Sequence, residues 1–143
     1  MDGYAHIDFS TLDIGDSLPP LKKPPITKVQ LVRYAGASGD FNPIHTDDEM
    51  ARRAGLKGVI AQGLLIMGFA GQAITQWIPK KHLKRFKVRF TDVTYPGDII
   101  TVKANIVKKE RTENEIQIVC EIKAENQDAQ LKLAGEFEAS LPI

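Results

Sequence analysis

The rhythm of hydrophobic and polar positions changes twice along this chain. Up to residue 26 there is no regular pattern. Gly15-Asp16, Pro19-Pro20 and Pro24-Pro25 mark turns. The prolines restrict this segment to short edge strands or a clasp, with Leu12, Ile14 and Leu18 available to a core. Helical spacing then begins. Thr27 is a suitable N-cap, and Leu31, Tyr34 and Ala35 fall on one face of a helix over residues 29–35. After an interruption, Thr46 or Asp47 can cap a second short helix through Glu49, Met50, Ala51 and Arg53, stopped near Gly55.

Residues 59–78 are apolar almost throughout. The length suits a membrane span, but Gln62, Gln72, Thr75 and Gln76 interrupt it and no basic loops frame a second span. A helix apolar on nearly all sides is instead one buried inside a fold. Each glycine costs such a helix on the order of 1 kcal/mol against alanine. Retention of Gly63, Gly68 and Gly71 therefore predicts close approach of neighbouring backbone, as in a sheet wrapped around the helix.

Pro79 ends this run, and the period becomes two. Phe86, Val88 and Phe90 alternate with Lys87, Arg89 and Thr91. Tyr95-Pro96-Gly97-Asp98 is a turn, and Ile100, Val102, Ala104 and Ile106 share a strand face. A charged turn over residues 109–114 leads into Ile116, Ile118, Cys120 and Ile122, and Asn126-Gln127-Asp128 turns the chain back into Leu131, Leu133, Gly135, Phe137 and Ala139. The C-terminal half reads as an antiparallel meander. The whole is α+β: a single domain, residues 1–143, with one long helix cradled by one curled sheet.

Composition narrows the functional classes. Nineteen Lys and Arg against 18 Asp and Glu leave the chain near neutral, so no global charge points to nucleic acid or an anionic membrane. The single cysteine, Cys120, excludes an internal disulfide, and its place on an apolar face favours packing over reactivity. One cysteine and an N-terminus without a basic start or apolar run fit a cytoplasmic protein. His6, His45 and His82 are scattered without the spacing of a closed metal site, so neither metal nor cofactor is expected. The basic run Lys80–Arg89, and Arg52 and Arg53, could meet phosphates or an acidic carrier protein, or simply be solvated faces. Phe69 and Trp77 read as core or dimer contacts.

Chemistry concentrates in Ser38-Gly39-Asp40-Phe41-Asn42-Pro43-Ile44-His45. Pro43 disfavours helix at Asn42, so Asp40 and His45 are not helical neighbours. Gly39 and Asn42 suit unusual backbone angles, predicting a folded-back loop that aims a carboxylate and an imidazole at one point. Such a pair can take a proton from water and return one to a substrate. Asx-Pro turns are common, however, and on pattern alone Asp40 could be only a backbone cap and His45 only a surface group.

Tyr34–His45 resembles the signature of (R)-specific enoyl-CoA hydratases and MaoC-like dehydratases. Residues 58–65 and 93–98 look like that family's second and third blocks. The resemblance extends over about the whole chain. It implies the hot-dog fold, a dimer joined through sheet edges, and reversible syn addition of water to trans-2-enoyl thioesters of CoA or acyl carrier protein. Carried over, Asp40 and His45 match the catalytic pair, Asn42 matches an orienting position, and the Gly63 N–H matches the donor to the thioester oxygen. That last role has independent physical support, because helix N-termini present free N–H groups and a positive dipole. Two positions depart from the pattern: Gln62 replaces a frequent histidine, and Gly71 replaces a serine of some hydratases. A non-catalytic partner subunit and a thioesterase on the same fold are the competing expectations.

Overall fold

The computed structural model describes residues 6–143, so the reading of Met1–Ala5 lies outside the described residues. Five strands, β1 (Leu21–Lys22), β2 (Leu83–Phe90), β3 (Thr101–Arg111), β4 (Glu115–Glu125) and β5 (Leu131–Pro142), form one antiparallel sheet in the order β1-β3-β4-β5-β2. Helices α1 (Lys28–Ser38) and α2 (Asp48–Arg53) precede the long helix α3 (Gly63–Trp77), which the sheet embraces. This is the hot-dog arrangement.

Period-two alternation explains the sheet face by face. Ile116, Ile118, Cys120 and Ile122 of β4 are buried, together with Val102 and Ile106 of β3 and Leu133 and Phe137 of β5. They close over Ile66, Ala70, Ala73 and Ile74 of α3, each large side chain contributing about 1.5–3 kcal/mol by leaving water. Trp77 stacks on Phe137 with ring centroids 6.0 Å apart and donates its indole N–H to the Pro19 carbonyl. Burial pushes the Cys120 thiol up to about 12, which makes it an inert core group. The arm works as a clasp: β1 pairs with β3, Ser17 bridges Asn105, and Leu18 is buried. Ile14, however, faces outward.

Three expectations need correction. Only β3, β4 and β5 form a meander. β2 crosses to the far edge and pairs with β5, because the N-terminal arm already occupies the free edge of β3. β3 continues through Arg111, a register shift between Ile106 and Lys108 carrying its pairing past the expected turn. Finally, α3 begins at Gly63, as the resemblance implied and not at the start of the apolar run, and it is not enclosed: Leu64, Gly68, Gln72 and Thr75 form an open face. Its glycines do not receive sheet backbone either. A Cβ on Gly68 would meet nothing within 4 Å, and one on Gly71 would only touch the Phe86 ring at 3.9 Å. Close backbone approach occurs instead in β5, where a Cβ on Gly135 would lie 2.0 Å from the Lys87 carbonyl oxygen of β2.

Candidate active site

The loop between α1 and α2 is built by its own side chains. Thr27 caps α1 by accepting the Gln30 N–H, and Gly39 ends it with φ of 76°, a left-handed conformation suited to glycine. The Asp40 N–H then donates to Ser38 Oγ at 3.1 Å, and Asp40 Oδ1 accepts the Asn42 N–H at 3.3 Å. Asn42 Oδ1 accepts the Ile44 N–H at 3.2 Å, capping a single 3₁₀ turn over Pro43–His45. Pro43 sits at the first position of that turn, where its missing N–H costs nothing. The Asn42 side chain therefore acts on the turn that carries His45, while its backbone N–H holds the Asp40 carboxylate. Asp47 caps α2 through the Glu49 and Met50 N–H groups.

This backbone brings Asp40 and His45 together. Asp40 Oδ2 lies 3.4 Å from His45 Nε2, with the carboxylate side chain 44% exposed and the imidazole 8% exposed. The other ring nitrogen, Nδ1, is 2.7 Å from the Ile60 carbonyl oxygen. A carbonyl can only accept, so Nδ1 carries a proton in either charge state. In the neutral ring, Nε2 consequently presents a lone pair toward the Asp40 carboxylate. A water seated to one side of the pair, about 2.8 Å from each atom, can donate one O–H to each of these acceptors.

The residues opposite are held just as firmly. The Ile60 N–H donates to the Ile44 carbonyl at 3.1 Å, and the Ala61 N–H donates to the Thr94 carbonyl at 2.8 Å. Asp48 accepts the Val59 N–H at 2.9 Å and the Lys28 ammonium at 2.6 Å; these bonds, Lys28 first, hold its carboxyl below the ordinary value. Gln62, fully buried, donates its amide to the Leu31 carbonyl at 3.0 Å and fixes the start of α3 against α1. Gly63, the first helical residue, has an N–H without an intrahelical acceptor. A Cβ there would come within 3.1 Å of the Phe90 ring, so any larger residue requires that ring to shift.

His45 and Gly63 line one cavity of about 180 Å³, whose walls include Ile66, Phe90, Thr94 and Lys132. Its lining is mainly apolar, so charge developing inside is poorly screened by water. A larger depression of about 530 Å³ lies on the outer sheet face among Lys87, Arg89, Glu121 and Glu136, where no acid–base pair is present. No three ligating side chains converge among the described residues, and no described helix is long and apolar enough to cross a membrane. Sequence reasoning did not find the Ile60 carbonyl, which is backbone, nor Asp48, which lies in a short helix, nor Phe90 and Lys132, which alternation assigns to ordinary strand positions.

A family model described as the MaoC-like domain matches residues 10–127. The chain belongs to the MaoC-like hydratase/dehydratase family. Among its relatives, a probable enoyl-CoA hydratase 2 of Dictyostelium discoideum is 35% identical over 83 residues, covering 56% of this chain and 28% of that protein. A mitochondrial 3-hydroxyacyl-[acyl-carrier-protein] dehydratase of Arabidopsis thaliana is 26% identical over 132 residues, covering 92% and 78%. The unliganded R-hydratase of Pseudomonas aeruginosa superposes with a TM-score of 0.78 at 25% identity, over 96% of this chain and 90% of that one. This MaoC-like chain spans a small part of some relatives, 7% of a peroxisomal hydratase-dehydrogenase-epimerase of Saccharomyces cerevisiae.

Proposed function

We propose that this MaoC-like protein reversibly adds water to trans-2-enoyl thioesters, giving (R)-3-hydroxyacyl thioesters of CoA or acyl carrier protein. One observation carries the reading: Asp40 Oδ2 lies 3.4 Å from His45 Nε2, and the His45 ring lines the same cavity as the N-terminus of α3. Water donating to Asp40 Oδ2 and His45 Nε2 turns its own lone pair toward the substrate. Its oxygen bonds to the β-carbon, the carbon–carbon π electrons move toward the thioester, and negative charge gathers on the thioester oxygen. The Gly63 N–H, with the α3 dipole behind it, meets that charge. The proton released by the water passes to the pair, and the pair returns one to the α-carbon, so the net change is addition of water alone. Delivery of both groups from one side gives the syn outcome.

The cavity of about 180 Å³ is small beside typical ligand pockets of ~300–1,000 Å³. It holds the reacting end of a thioester and leaves the carrier outside. A homodimer through sheet edges belongs to the same proposal. It is supported by the free edge of β2 and by Leu64 and Phe90, 62% and 51% exposed, beside the cavity. The deciding assay follows crotonyl-CoA and longer enoyl-CoAs through loss of the ultraviolet band of the conjugated thioester, with product chirality determined. Free thiol released with no 3-hydroxyacyl product would make the protein a thioesterase. Absence of both reactions, with activity appearing only alongside a homologue, would make it a partner subunit.

A further inference from the structure

Lys132 is the only lysine or arginine among the buried side chains of the described residues. It sits on a β-bulge. Along the β4–β5 pairing, Ala124 faces Leu133 and Glu125 faces Leu131, so Lys132 is the extra residue with no partner opposite. Bulges next to active sites re-aim a side chain. Here the redirected ammonium donates to Val93 O at 2.7 Å, Asp92 Oδ2 at 2.9 Å and Gln130 Oε1 at 3.3 Å, while its side chain is only 3% exposed. Those three bonds use all three of its donors, so none remains for a substrate. The backbone at the bulge adds another tie, its carbonyl accepting the Thr91 N–H at 3.1 Å. Residues 91–93 are thus clamped onto the beginning of β5.

The clamp leads directly to the site. The next residue, Thr94, accepts the Ala61 N–H, and the residue before Ala61 holds the His45 ring through its carbonyl. Lys132, Val93, Thr94, Ala61, Ile60 and His45 form a continuous path of peptide links and hydrogen bonds, each bond 2.7–2.8 Å long. The same path runs on two residues from Ala61 to Gly63. Resting on the hydration reading above, the geometry points to Lys132 as a positioning residue: through the 92–94 loop it fixes the Ile60 carbonyl, and with it the direction of the His45 lone pair relative to the Gly63 N–H. Burying an ammonium is costly, and a small apolar residue would fill an ordinary strand position without that cost. A clamp that must reach a backbone carbonyl and a carboxylate at once explains the lysine.

Loosening such a path displaces the base without removing it, and a displacement of about 1 Å can cost on the order of 100-fold in rate. Lys132→Met is expected to lower kcat on crotonyl-CoA by about tenfold or more while KM stays within about twofold, with Lys132→Arg recovering part of the loss. A second readout does not depend on activity. Hydrogen exchange at the Ala61 amide should accelerate about tenfold or more in Lys132→Met, while the amides of Cys120 and Ile122 in β4 keep their protection. Wild-type kcat with unchanged Ala61 exchange in the folded variant would overturn the assignment. So would uniform acceleration across Ala61 and β4, the mark of a lysine that only supports the fold. If Lys132→Met does not fold, Asp92→Asn decides: its side chain is half-exposed, and the same selective loss at Ala61 is expected, with no loss overturning the proposal. Wild type inactive on every enoyl-CoA would defeat the hydration reading alone, since the exchange measurement still decides whether Lys132 holds Ala61.

Discussion

Replacing Asp40 by asparagine changes one atom that matters. Asp40 Oδ1 accepts the Asn42 N–H, and the asparagine oxygen can do the same, so the turn survives. The side chain is 44% exposed, and a change of this kind at such a position costs within about 0.5 kcal/mol of stability. At the Oδ2 position, however, an acceptor becomes an NH₂ donor facing the His45 lone pair at 3.4 Å. The amide then satisfies the imidazole directly and displaces the water that both groups would have shared. Loss of one positioned acid–base partner lowers rates by ~10²–10⁴-fold, or about 3–5 kcal/mol of transition-state stabilisation at about 1.4 kcal/mol per decade. The assay is initial loss of the enoyl thioester absorbance with crotonyl-CoA, beside thermal melts of both proteins. A variant that melts with wild type and keeps more than about a tenth of its kcat would refute the shared-water reasoning.

His45→Gln should fall by a similar ~10²–10⁴-fold with the fold retained, because the ring supplies the other acceptor; near-wild-type turnover would exclude the imidazole. Gly63→Ala places a Cβ 3.1 Å from the Phe90 ring and should reduce turnover, and Phe90→Ala in the same chain should restore part of it; no restoration would detach Gly63 from Phe90. Gly135→Ala sets a Cβ 2.0 Å from the Lys87 carbonyl oxygen, so β2 must shift along its pairing with β5, at a cost of about 3 kcal/mol or more measured by urea unfolding. Asp48 is held below its ordinary 3.8, mainly by Lys28, so its stabilisation is present above 3.8 and fades as pH falls through the lowered folded value; melts of wild type and Asp48→Asn should differ at neutral pH and converge in acid, and a constant gap would contradict the pairing.

The strands were legible because each alternates over a single buried face, and the buried residues of β3 and β4 are those the period of two selects. Strand order was not legible, because it depends on which edge is already taken. β1 pairs with β3 through only Leu21 and Lys22 in a proline-rich arm, yet that short edge sends β2 to the far side of β5. The hydrophobic pattern alone hid the start of α3, which the resemblance set at Gly63, for a related reason. Val59–Ala61 are as apolar as the helix that follows, but the Val59, Ile60 and Ala61 N–H groups and the Ile60 carbonyl are engaged by Asp48, Ile44, Thr94 and His45, so the backbone stays extended.

The site divides along the same line. Asp40, Asn42 and His45 lie within six residues, and their Asx and 3₁₀ turns are local, so the loop's chemistry and its spacing can be read together. What makes the pair directional is long-range: a carbonyl fifteen residues away fixes a proton on Nδ1, so that Nε2 is the acceptor of the neutral ring. That carbonyl is in turn held by a loop clamped from residue 132, across the sheet. Alternation assigns a lysine between Leu131 and Leu133 to the solvent face, and only the extra residue in the β4–β5 register turns it inward. The sequence therefore displays the proposed acid–base groups, while their aim depends on hydrogen bonds between backbone segments whose residue types could vary without trace. It follows that substitutions in the 92–94 loop that keep its backbone path should be tolerated, whereas those that break the Thr94–Ala61 bond should lower hydration of crotonyl-CoA although neither Asp40 nor His45 has changed.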